Sequence, residues 1–380
     1  MPTLYAPSRN LVPRPDFWNC RRSPYFSCFL ESDCDILQSM KQTVLLVLMV
    51  SGVFLAGRID GHHSGSEYDR SKVVEIEGKL LEIAWQNPHV HFTVRSMDAN
   101  GKATTWDIEA NSLSILRRTD ATPENLKVGD TIKIAGSPSA RAPNRMWASN
   151  VMAANGREIV LGPGIKPRWQ TSATGSNTTW FDGGKSANQN AGIFRVWSSK
   201  LDDPVRLWRR DYPLTEGAKK TRAAWNPITD TVAPGCEPKG MPTIMEQPYP
   251  IEFVKKGDTI LLRLEEYDTV RTINMAPNAD FDRLSPALLG RSKGQWEGDT
   301  LVVTTSRIAW RYVDPSGVPQ SSSSRIVERF TPSSDGTRLD YTMTITDPQT
   351  FTGPVELKRS WVWRVGETVK PYNCVRDKKR

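Results

Sequence analysis

The chain has 380 residues, 38% of them hydrophobic, which is enough for two domains with their own cores and excludes a disordered polypeptide. Its formal net charge is +8, a balance that can favour anionic partners but is read most simply as solubility, so charge alone assigns no function. The 27 prolines and 26 glycines are spread along the chain, and period-two apolar runs outnumber helical ones, so a mainly β protein is expected.

Residues 1–39 hold Cys20, Cys28 and Cys34 among prolines and charges, and Met40 would serve as a normal start; they are set outside the folded protein as an extension. Residues 40–61 have the layout of a secretory signal peptide: Lys41, an uncharged apolar run of fourteen residues from Thr43 to Ala56, then the polar GRIDG. That run is shorter than the roughly 20 residues of a membrane-crossing helix. Its removal with the extension takes away six basic and five acidic residues and leaves +7. The protein is therefore expected to be exported, periplasmic or secreted, where lipid headgroups and cell-wall polymers are the available anions and nucleic acid is not a partner. Export leaves two cysteines, Cys236 and Cys374, which an oxidising compartment would join; two buried thiols are the alternative.

Elements can be read in order from Ser71. VVEIEGKLLEIAW (73–85) is a long strand with a bend suggested at Gly78, HVHFTVR (89–95) a second, DANGK (98–102) a hairpin turn and ATTWDIEA (103–110) a third. NSLSILRRT (111–119) reads as a short helix capped by Asn111, and LKVGDTIKIAG (126–136) and RMWASNVMAANG (145–156) are two more strands. Five strands with a helix between the third and fourth is the order of the five-stranded OB barrel, so residues 62–162 are expected to form an OB-like domain. A glycine- and proline-rich linker is expected at 163–177. From 178 to 380, after a helix in PLTEGAKKTRAAW (213–225), successive hairpins such as GQWEGDTLVV predict a larger antiparallel β-barrel or barrel-like meander, closure being the way such a sheet removes its edges.

HHSGSEYDRSKVVEIEGKLLEIAWQNPHVHF, followed by GREIVLG, resembles the exported bacterial proteins grouped as family of unknown function 6152, over residues 62–162. GQWEGDTLVV and GMPTIMEQPYPIEF resemble a barrel-like region in hypothetical proteins of soil bacteria. Neither resemblance carries an activity.

All four histidines fall between 62 and 91. His89 and His91 flank Val90 in a predicted strand, so alternation sends both imidazoles to one face and Val90, Phe92 and Val94 to the other. Two such imidazoles can converge on one ion, and His62 and His63 would complete the shell if the preceding segment crosses that face. Cleavage after Gly61 would add the α-amine of His62 and favour Cu(II); cleavage after Ala56 or Gly57 leaves imidazoles alone, closer to zinc. The competing reading has His62 and His63 in a frayed terminus and His89 and His91 as structural groups.

Three other patterns carry less. GRSKG (290–294) fits a nucleophile elbow, but no histidine follows residue 91 to act as its base. Glu265 and Glu266 are strand neighbours facing opposite ways, which disqualifies them as a glycosidase pair. Trp296, Trp310, Trp361 and Trp363, with Phe330 and Tyr341, fall in the barrel half, where they would line an interior for a small apolar or sugar ligand or simply fill its core. The leading expectation is a noncatalytic envelope protein holding copper or zinc through His62, His63, His89 and His91; the rival is a lipid- or glycan-binding barrel with structural histidines.

Overall fold

The computed structural model describes residues 67–98, 100–175, 192–199, 207–209, 211–226, 230, 236–278, 280, 281 and 283–376. The protein is mainly β, a closed five-stranded barrel followed by a closed nine-stranded one, as the alternation predicts. The expected signal peptide and the extension before it lie outside the described residues. No helix among the described residues is long and apolar enough to cross a membrane.

The first barrel is built from β1 (Val74–Ala84), β2 (His91–Met97), β3 (Ala103–Glu109), β4 (Thr131–Pro138) and β5 (Arg145–Met152), with β6 (Glu158–Val160) added at the edge of β5. A short helix, α1 (Leu113–Leu116), joins β3 to β4. Strand β1 pairs antiparallel with both β2 and β4, and it passes so close to β2 at Gly78 that a Cβ there would lie 2.4 Å from the Arg95 carbonyl oxygen. Closure comes from the parallel pairing of β3 with β5, from Asp107↔Arg145 to Glu109↔Trp147. Leu80, Val90, Phe92, Val94, Ile108 and Ile134 point inward and fill the core.

Two local expectations are corrected. The cap of α1 is Ser112, whose Oγ accepts the Ile115 N–H at 3.2 Å; Asn111 instead donates Nδ2 to the Leu161 carbonyl at 2.7 Å. Residues 163–175, expected as a linker, fold back on the first barrel because the buried Glu158 carboxylate collects the backbone N–H groups of Arg168, Trp169 and Gln170 at 2.6–2.9 Å.

The second barrel runs β7 (Val196–Ser198), β8 (Ile251–Lys256), β9 (Thr259–Leu264), β10 (Thr269–Asn274), β11 (Arg291–Glu297), β12 (Thr300–Ser306), β13 (Arg325–Pro332), β14 (Arg338–Thr346) and β15 (Val355–Trp363), which returns to β7. A helix, α2 (Glu216–Ala224), capped by Thr215, lies between β7 and β8. Gly257 and Gly298, at φ 56° and 60°, open the two tight hairpins β8–β9 and β11–β12, the backbone such turns require. The barrel is antiparallel, as expected, at every seam but one. Strands β10 and β11 run parallel and share only Ile273↔Ser292 and Asn274↔Lys293, because residues 275–290 form a crossover where a hairpin would have kept the direction alternating.

Inside this barrel an ion pair lies among aromatic and aliphatic side chains. Arg271 on β10 donates Nη1 to Glu328 Oε1 on β13 at 2.9 Å and Nη2 to Glu328 Oε2, while Nη2 also reaches Thr305 Oγ1 on β12 at 2.6 Å. Its Nε donates to Ser292 Oγ on β11 at 3.0 Å, and the Tyr341 hydroxyl on β14 donates to Glu328 Oε1 at 2.7 Å. The Met245 sulfur at 3.9 Å takes the remaining guanidinium direction, so all five N–H donors have partners. Burial first, and the Glu328 carboxylate second, push the Tyr341 hydroxyl well above the ordinary tyrosine range.

A second buried ionic cluster ties the barrels together. Arg118, just after α1, donates to both oxygens of Glu265 at 2.8 and 2.7 Å and also faces Glu367 at 3.3 Å. Beside it Tyr249 donates to Ser112 Oγ at 3.0 Å, and Asn87 Nδ2 donates to the Tyr372 carbonyl at 2.5 Å. Cys236 and Cys374 are joined by a disulfide across a sequence separation of 138, the pairing the sequence predicts.

Two stability outcomes follow. Glu328→Gln leaves a buried guanidinium without its counter-charge and is expected to cost about 3–5 kcal/mol, whereas Arg263→Ala, which breaks the surface pair with Glu252, stays within about 1 kcal/mol; urea unfolding followed by tryptophan emission compares them. Reducing the cystine is expected to lower unfolding free energy by up to about 5 kcal/mol on the chain-entropy account, measured by the same curves with and without dithiothreitol.

Candidate functional site

The histidine face is positioned by strand alternation. Val90 and Phe92 are buried in the first core, and His89 and His91, half-buried, lie on the opposite side with ring centroids 6.4 Å apart. Strand β2 itself begins at His91, so His89 sits in the short extended segment after Asn87–Pro88 rather than within the ladder. His91 stands directly opposite Glu109 in the β2–β3 register. Nδ1 of His89 is 3.7 Å from Glu109 Oε2, an ion-pair separation and longer than a hydrogen bond.

Around this pair the barrel gathers charge. The Arg145 guanidinium lies 3.5 Å from Glu109, 3.3 Å from Asp107 and 3.7 Å from Glu67, so three carboxylates surround one arginine. The Trp147 indole packs edge-on against His89 at 5.1 Å, meets Tyr68 at 5.7 Å and carries the Arg70 guanidinium 5.0 Å above its ring. Burial, reinforced by Glu109 and Glu67, pushes the Tyr68 phenol well above its ordinary range, so it stays a neutral hydroxyl at physiological pH. Carboxylate, guanidinium and imidazole groups are thus brought together on one face of the first barrel.

Among the described residues no three His, Cys, Asp or Glu side chains are grouped to hold a metal ion. Two imidazoles do not complete a shell on their own. His62 and His63 lie outside the described residues, but the described chain enters at Glu67, beside this face: Glu67 faces Arg145, its carbonyl accepts the Ala140 N–H at 2.9 Å, and Tyr68 bridges to Ser139.

Glu109, Glu67, Tyr68, Arg145 and Trp147 were not part of the sequence reading. Glu109 was within reach of it, since counting outward from the 98–102 turn through Met97↔Ala103 sets Glu109 against His91. Arg145 and Trp147 were not, because they arrive through the parallel β3–β5 closure, which leaves no local mark.

The four tryptophans do not converge on one ligand wall. Trp361 is fully buried against Phe330 and Tyr341, with the Arg359 guanidinium 4.4 Å above its ring. Trp310 is buried and donates Nε1 to Thr243 Oγ1 at 2.8 Å. Trp363 is covered by Arg195 at 4.7 Å, and Trp296 is exposed beside Phe194. None of them lines the cleft of about 570 Å3 between β10 and the 275–290 crossover. Glu265 and Glu266 are not the strand neighbours expected: they lie in the 3-10 turn that follows β9, where they take different partners, Arg118 and Lys239.

No curated protein matches the chain. Residues 52–146, a stretch that holds all four histidines and ends on the second residue of β5, match the Family of unknown function (DUF6152).

Proposed function

We propose that this is an exported, noncatalytic envelope protein whose first barrel binds copper or zinc through His62, His63, His89 and His91. The observation that carries the reading is the shared outward face of His89 and His91, set beside the point where the chain enters at Glu67. His63 precedes Glu67 by four residues, a length that spans at most about 14 Å, so the upstream pair is tethered within reach of that face. Glu109 stands behind the His89 imidazole, with one oxygen toward Nδ1 and the other toward the Arg145 guanidinium.

The test is equilibrium dialysis of mature protein against copper(II) and zinc, with the bound metal measured by mass spectrometry. One equivalent with sub-micromolar affinity is expected, and His89→Ala combined with His91→Ala should abolish uptake. Glu109→Gln, which keeps the shape and removes the charge, should weaken binding about 10- to 100-fold. Uptake should also fall on acidification, because imidazole ligates only when neutral. Undiminished uptake in the double-histidine variant would end the proposal.

A further inference from the structure

The two-pair seam between β10 and β11 has a consequence outside the ladder. Neighbouring β11 and β12 share seven register pairs, whereas β10 residues 269–272 have no register partner on β11. The barrel wall opens there into the cleft of about 570 Å3, a size within the range of about 300–1,000 Å3 typical of small-molecule sites.

Its lining is divided in character. Val270, Leu284 and Leu288 stand at the cleft 49%, 41% and 43% exposed, three of the nine large hydrophobic side chains exposed among the described residues, and Phe281 and Leu289 continue the apolar surface. Three exposed apolar groups around one opening mark a binding surface more than scattered surface leucines do. The floor is Arg271 and Ser292, whose hydrogen bonds are taken up inside the barrel, so it is rigid and offers no spare charge.

The remaining wall carries Lys239. Its Nζ donates to Glu266 Oε1 at 2.7 Å, which uses one of three ammonium donors and fixes the group in place. Burial acts to lower the ammonium pKa, but the Glu266 carboxylate outweighs it, so Lys239 stays charged. Of the other charged groups on the lining, Asp268 accepts the Tyr372 N–H at 2.9 Å, and Arg291 commits its Nε to the Ser285 carbonyl at 3.2 Å, which leaves its guanidinium charge as a second cation at the cleft.

We infer that this cleft binds a single-chain amphiphile with an acidic head, its tail against Val270, Leu284 and Leu288 and its head on the free donors of Lys239. The site is separate from the histidine face and requires no metal, so either assignment can fail alone.

Calorimetric titration of the full chain with dodecanoate, kept below micelle formation, tests the inference. Saturable 1:1 binding is expected. Leu288→Asp, a change at an exposed position, should weaken it at least tenfold. Lys239→Met should weaken dodecanoate about tenfold while leaving dodecan-1-ol unchanged. Should Lys239→Met fail to fold, wild-type protein titrated with dodecyltrimethylammonium gives the same answer, since a cationic head on the same tail should bind at least tenfold more weakly than dodecanoate. Absence of dodecanoate binding, undiminished binding by Leu288→Asp, or a cationic amphiphile binding as tightly as the acid would overturn it.

Discussion

The second barrel depends on the buried pair of Arg271 and Glu328. The β10–β11 seam, like the two seams flanking β7, rests on only two register pairs, and a barrel left open there would present unpaired strand edges. Arg271 supplies what the ladder lacks. Through Ser292, Thr305, Glu328 and Tyr341 it links β10 to β11, β12, β13 and β14 in one network of side chains. Desolvating two charges is expensive, and the arrangement holds because every donor on the guanidinium has an acceptor. The network specifies which strands meet more than it adds net stability, since apolar residues of similar volume would not distinguish one register from another.

The same logic, a buried arginine shared between strands far apart in sequence, recurs where the barrels meet. Arg118 comes from the first barrel, Glu265 from the second, and Glu367 from the segment after β15. Tyr372 packs against both Tyr249 and Tyr267 at the junction, with ring centroids 5.6 and 5.0 Å apart. The two barrels therefore meet through specific polar contacts supported by a small apolar cluster of Ile115, Tyr249 and Tyr372. The histidine face and the cleft belong to different barrels and do not share residues.

Much of the fold could be read from residue pattern because alternation is a local property. The five strands and intervening helix of the first barrel, the opposite faces of His89 and Val90, the Gly-Asp hairpins and the pairing of Cys236 with Cys374 all follow from neighbours in sequence or from counting. What escaped depends on contacts between distant segments. The parallel β10–β11 seam requires knowing that the chain between these strands crosses over, and a stretch without regular alternation gives no direction. Asn111 and Ser112 are equally good caps by type; the Leu161 carbonyl, fifty residues on, decides between them. Residues 163–175 have linker composition, but the Glu158 carboxylate binds their amides. The tryptophans show the limit of composition most clearly, since abundance does not tell an indole stacked in a core from one at a ligand. Of the candidate metal site, alternation revealed the two imidazoles, and only the register revealed the carboxylate behind one of them.

The residues after β15 leave the second barrel and seat against the first: Glu367 at Arg118, the Tyr372 carbonyl on Asn87 Nδ2, and the Val375 N–H on the Asn87 carbonyl. Part of the first barrel's surface is thus built from residues as far as 285 positions further along the chain. The backbone two residues ahead of His89 is anchored by a segment that follows the whole of the second barrel, so loosening that segment would reach the imidazoles without touching the first barrel's own ladder.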